Sequence, residues 1–191
     1  MKRLIPLLTG FTFLVCLACV KDVDFDQIED VVLTPVYEVD LIYSQFDTDD
    51  YIDNQLPPDT PIVVPPIQDT LNYDLTSTDF AIENLDRIEL TFEFRNTIET
   101  SFEFTFQFLS SSNQPVGISR TIFITPGEGE NTQPVISYSD PNPIVIDDQE
   151  LGQLSTARRL ATELRVNNAN SNLRGRLELR SKAAYYINYD L

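Results

Sequence analysis

Apolar and polar residues alternate along much of this chain, most cleanly over 88–125. Ile88, Leu90, Phe92 and Phe94 alternate with Glu89, Thr91, Glu93 and Arg95. Phe102, Phe104, Phe106 and Phe108 alternate with Ser101, Glu103, Thr105 and Gln107. A period of two puts every second side chain on one face of a strand. With turn character at 96–100 between them, the two runs predict an antiparallel hairpin with one aromatic face. A second turn at 110–114 leads into a third strand carrying Ile118, Ile122 and Ile124, with Arg120 as the polar exception on that face. The run Pro126-Gly127-Glu128-Gly129-Glu130 closes it.

Other segments carry the same signal more weakly. From Val31, the residues Val31, Leu33, Tyr37, Val39, Leu41 and Tyr43 fall on odd positions, which predicts a half-buried strand. Over 44–70, Pro57, Pro58, Pro61, Pro65 and Pro66 deny the backbone the N–H groups a central strand needs, so a loop or sheet-edge segment is expected. Within it Ile62-Val63-Val64 can touch a sheet edge, and 71–75 alternates again. Short strands are expected at 135–138 and 144–146. Leu151, Leu154, Ala157, Ala161 and Leu164 recur at helical spacing behind an Asp147 or Asp148 cap, predicting one helix near 149–162. After a polar turn cluster at 167–172, Leu177, Leu179, Ser181, Ala183, Tyr185, Ile187, Tyr189 and Leu191 share one face of a long final strand, with Arg176, Glu178, Arg180 and Lys182 on the other. Seven or more short strands and a single helix predict a mainly β chain: an antiparallel β-sandwich, immunoglobulin-like, over 31–191. A small closed barrel is the alternative.

The first twenty residues break from this pattern. Lys2 and Arg3 precede an uncharged apolar stretch over 4–18, the layout of a secretory leader and too short for a membrane span. It ends Cys16-Leu17-Ala18-Cys19, with a small residue before the second cysteine. This ending resembles a bacterial lipobox, although Cys16 stands where that family prefers leucine. The resemblance implies a signal peptide over 1–18 and lipid on Cys19; an ordinary cleaved signal and an uncleaved anchor are the alternatives. Lys21, Asp22, Asp24 and Asp26 follow, in an acidic tether over 19–30. That stretch resembles the surface-export tag of Bacteroidota lipoproteins, which implies a lipid-anchored place at the outer membrane or cell surface. Asp69-Thr70-Leu71 also resembles the short O-glycosylation motif of that group.

Composition narrows the function classes. Of 13 basic residues two lie in the leader, so the chain from Cys19 onward carries net charge −19 against its 30 acids. Such a chain is repelled by nucleic acid and by anionic headgroups, so membrane contact is expected through the lipid anchor rather than through charge. With Cys16 removed and Cys19 acylated, no thiol remains for a disulfide, a metal or a nucleophile. There is no histidine, which removes the serine and cysteine triads, and no tryptophan. No cofactor is expected.

Several clusters remain. Asp47, Asp49 and Asp53, with Asp50, offer hard oxygen ligands to Ca²⁺, but the spacing lacks the glycine and glutamate of an EF-hand; a solvated loop is the alternative. Asp147, Asp148 and Glu150 suit a cation, an acid/base pair or the N-terminus of a helix. Tyr185 and Tyr189 sit on the apolar face, while Tyr186 points outward. From residue 156 onward seven basic residues outnumber three acids. Arg158, Arg159, Arg174, Arg176, Arg180 and Lys182 therefore form a candidate patch for an anionic partner, a glycan or an outer-membrane protein; the alternative is pairing with Glu89, Glu93 or Glu103 within the fold. The expected function is a binding or structural module, not an enzyme. An accessory subunit of an outer-membrane assembly, or a carboxylate-based glycoside hydrolase with two acids facing across a cleft, are the alternatives.

Overall fold

The computed structural model describes residues 32–53, 55–73, 76, 78–138 and 142–190. The leader, Cys19 and the whole tether over 19–30 lie outside the described residues. The chain divides into two units. In the smaller, β1 (Val32–Leu33) pairs antiparallel with β11 (Tyr189–Asp190). The larger, Thr34–Asn188, holds β2 (Val36–Asp47), β3 (Ile67–Asn72), α1 (Asp79–Asn84), β4 (Leu85–Asn96), β5 (Phe102–Ser110), β6 (Pro115–Ile124), β7 (Val135–Tyr138), β8 (Ile144–Ile146), α2 (Asp148–Leu154), β9 (Ala157–Val166) and β10 (Arg176–Ile187).

Five of the seven strand pairings in the larger unit fold back about one point. The turn at 111–114 joins β5 to β6; outside that pair lie β4 with β7 and β8, then β3 with β9, then β2 with β10. These nested hairpins roll into two antiparallel sheets when β10 also pairs β4 and β9 also pairs β5. The first sheet runs β2-β10-β4 with β7 and β8 end to end along the far side of β4; the second runs β3-β9-β5-β6. The expected β-sandwich is what forms. Its wiring is that of a jelly roll, in which the first and last strands are neighbours, where an immunoglobulin sandwich pairs its first two strands. Val36 lies opposite Tyr186, so both ends of this unit emerge side by side.

The aromatic runs form the core. Phe102, Phe104, Phe106 and Phe108 face Phe92 and Phe94 across the sandwich, with ring centroids 5.1 Å apart for Phe92 and Phe106 and 5.3 Å for Phe94 and Phe104. Each buried Phe contributes roughly 1.5–3 kcal/mol. Tyr185 and Tyr73 are buried there with their hydroxyls 3.3 Å apart, and burial pushes both phenols up. Arg120, the exception on its strand, reaches Glu150 of α2 at 2.5 Å.

Asn96 ends β4 fully buried. Its Nδ2 donates to the Thr100 and Thr125 carbonyls at 3.0 and 2.8 Å, and its Oδ1 accepts from the Ile98 N–H at 2.9 Å. One side chain thereby satisfies three backbone groups that the turn leaves without strand partners.

Three local expectations are corrected. The helix expected near 149–162 ends at Leu154, and from Ala157 the chain is strand. A four-residue spacing such as Leu160 to Leu164 satisfies both periods, and the slot between β3 and β5 supplies a full ladder for β9. The odd-numbered face of β2 is broken by a register shift opposite Ser181 and Lys182, which turns Tyr43 outward, where it is 68% exposed. Tyr189 lies in the smaller unit and is 38% exposed rather than core. Asp147 caps α2 by accepting from the Gln149 and Glu150 N–H groups, the helix-end role expected of it.

Candidate contact face on the first sheet

Side chains alternate across a sheet, so one outward face collects every second residue of β2, β10, β4, β7 and β8. Register assembles these into rows. Tyr43, Arg180, Glu93 and Tyr138 stand in one row; Gln45, Glu178, Arg95 and Ile136 stand in the next. Lys182 lies between Asp40 and Thr91, and Arg176 opposite Asp47. At a strand spacing of about 4.8 Å, the four-strand row spans roughly 14 Å. Exposed apolar groups stud it: Tyr43, Tyr138, Ile136 and Val145. Where the face meets the end of the sandwich, Asp47, Arg95, Asn131, Arg176 and Glu178 line a groove of about 520 Å³.

Charges on this face interlock. Arg95 meets Glu93 at 2.5 Å, Lys182 meets Glu38 at 3.1 Å, Arg176 meets Asp47 at 3.5 Å and Arg180 meets Glu178 at 3.7 Å. Arg180 also lies over the Tyr43 ring at 5.9 Å. At the other end Arg87 stacks on Tyr186 at 3.7 Å and bonds Glu89, whose carboxylate also accepts from the Tyr186 hydroxyl at 2.9 Å. The Glu89 hydrogen bond, foremost, holds the Arg87 guanidinium above its ordinary range. Exposed pairs like these contribute about 0–1 kcal/mol each to stability.

No family model matches the chain, and no curated protein does. Solved structures similar to it include the VP2 subviral particle of infectious bursal disease virus, at 12% identity and TM-score 0.45, covering 81% of this chain and 32% of that one. Tailspike protein 4 of bacteriophage CBA120 is similar at 14% identity and TM-score 0.38, over 86% of this chain and 20% of that one. Turnip yellow mosaic virus is similar at 7% identity and TM-score 0.31, over 84% and 94%. The chain spans about a third of the length of the first of these structures.

The six residues of the candidate basic patch do not converge. Arg176, Arg180 and Lys182 share the outward side of β10. Arg158 instead donates to the Ser155 and Ala157 carbonyls, Arg174 to those of Ser171 and Leu173, and Arg159 to the Asn113 side chain. The three on β10 each have an acid beside them, so the face is a ladder of both signs rather than a basic field. Asp47, Asp49 and Asp53 do not converge either. Asp47 accepts from the Asp49 N–H and meets Arg176, and Asp53 accepts from the Gln55 N–H. Among the described residues, no group of three or more His, Cys, Asp or Glu is placed to hold a metal ion. Tyr43, Tyr138, Ile136 and Arg95 were not legible as members of a site. Cross-strand register brings them together, and they lie far apart in sequence.

Proposed function

We propose that this chain is an exported, lipid-anchored β-sandwich binding module. Cys19 carries the lipid at the outer membrane or cell surface, and the outward face of the first sheet docks a partner protein there. The leader, the small residue before Cys19 and the acidic tether support the location. The row Tyr43-Arg180-Glu93-Tyr138, flanked by Arg95 and Ile136, carries the contact reading. Interface centres are enriched in tyrosine and arginine, which combine apolar area with directed donors. Interlocked charges of both signs favour a protein surface over an anionic glycan, which rewards one sign only.

A photo-crosslinking amino acid placed at Tyr43 or Tyr138 in the native host tests this. We expect a discrete membrane-protein adduct from both positions and none from Thr105 on the second sheet, with Arg180→Ala weakening the Tyr138 adduct. Equal labelling from all three positions would overturn the contact reading. An unmodified Cys19 in the mass spectrum of the mature N-terminus would overturn the anchor.

A further inference from the structure

The outward face of the second sheet is chemically unlike that of the first. Register sets Gln68, Glu163, Thr105 and Thr121 in one row and Thr70, Ala161 and Gln107 in the next. Ala161 carries the smallest side chain of the group and stands between Thr70 and Gln107. Around it lies a trough of about 310 Å³.

Its polar groups are held in place. Gln107 Nε2 donates to the Phe108 and Val116 carbonyls at 3.0 and 2.8 Å, which spends the amide's N–H groups and leaves its oxygen as an acceptor. Thr105 and Thr121 share a 2.9 Å hydroxyl–hydroxyl bond, in which one O–H donates and the other stays free to donate outward. Gln68 Nε2 donates to Glu163 Oε2 at 2.6 Å, and Arg165 Nε to Glu163 Oε1 at 2.5 Å. Between the two rows Asp69 stands opposite Thr162, in the row of the inward-facing Phe106, and accepts from the Thr70 N–H at 2.7 Å.

We infer that this trough is a binding site for an uncharged oligosaccharide, whose hydroxyls meet the fixed acceptors and hydroxyl groups around Ala161. The charge balance selects that ligand class. Glu163 is matched by Arg165 and oriented by Gln68, and no residue lining the trough is a cation. A carboxylated or sulfated sugar finds no unmatched positive group there and approaches a chain of formal charge −17. A neutral polyol meets no such field, and its hydroxyls both donate and accept. Pre-oriented partners lower the ordering cost of the shallow, weak binding typical of such faces. This inference does not rest on the protein-contact reading of the first sheet.

Titration of the ¹⁵N-labelled full chain with maltohexaose, cellohexaose and mannohexaose tests it, with a heparin hexasaccharide as the charged counterpart. We expect at least one neutral hexasaccharide to shift amides of β3, β9 and β5 with a Kd on the order of 1 mM, and the heparin fragment to shift none of them. Ala161→Tyr fills the trough, and Gln68→Ala removes the clamp on Glu163 without changing volume at the centre. Each should weaken binding by about tenfold or more, with the remaining amide spectrum reporting an intact fold. The inference is overturned if none of the three neutral sugars shifts these amides, if the shifts fall elsewhere, if heparin binds as well, or if both variants bind like the parent chain.

Discussion

Replacing Asn96 should damage this fold out of proportion to its size. The side chain is fully buried and holds the Ile98 N–H and the Thr100 and Thr125 carbonyls. Asn96→Ala leaves all three without a partner. A buried backbone group left unsatisfied costs about 1–3 kcal/mol. The Thr125 carbonyl is only partly buried, and water entering the vacated space recovers some of the loss, so about 3–5 kcal/mol is expected. For a domain of this size that corresponds to a fall in Tm of roughly 6–20 °C. Asn96→Asp is the sharper probe. It keeps an acceptor for Ile98 but turns a carboxyl oxygen toward two carbonyls, where only the protonated acid can donate. Its folded pKa must therefore rise above the unfolded value of about 3.9. A raised folded pKa means that the variant's penalty is smallest below about pH 4, where the single O–H restores one of the two lost donors, and grows as pH climbs, levelling off above the folded value. Urea unfolding of parent and variants at pH 4 and pH 7 reads both effects. A loss under about 1 kcal/mol for Asn96→Ala, or a constant gap between Asn96→Asp and parent across pH, would refute the account of this turn.

Other substitutions separate backbone demands from side-chain ones. Gly175 has φ +126°, and a Cβ there would sit 2.6 Å from Thr97 Oγ1, so Gly175→Ala should cost about 1–3 kcal/mol in the same assay. Gly152 lies in α2 with open space around it, so Gly152→Ala should stabilise by roughly 0.5–1 kcal/mol. Gln68, and after it Arg165, holds the Glu163 carboxyl below its usual range. Side-chain NMR should therefore show that pKa rising in both Gln68→Ala and Arg165→Ala, more in the former. Because the folded value is depressed, the small stability that Glu163 contributes is present above the unfolded pKa and is lost as pH falls through the folded one.

The sandwich was legible because its centre is written locally. Phe92, Phe94 and the four phenylalanines of β5 announce strand, face and core within two short runs, and turn residues mark the ends. Three features were not legible, each because its cause is remote in sequence. Ala157 to Leu164 fits helix and strand alike until β3 and β5 are known to flank it. Tyr43 reads as core until the irregularity opposite Ser181 reverses its side. Arg180 reads as part of a basic run until register sets Tyr43 and Glu93 beside it. The asymmetry of charge along the chain was real, but the fold answers most of it internally, with Asp47, Glu178 and Glu38 beside three of the cations on β10.

The side-by-side exit of the two ends of the larger unit has a mechanical consequence. Tension applied between Val36 and Tyr186 loads the rungs joining β2 to β10 one at a time, from the outermost inward, and parts them at low force. Tension between Val36 and a partner gripping Arg180 and Tyr138 is directed along β2 instead, so that many rungs resist in shear at once. A module tethered at its N-terminus and held by its first-sheet face is thus pulled in its strong direction, whereas a load hung on its C-terminus would peel it open.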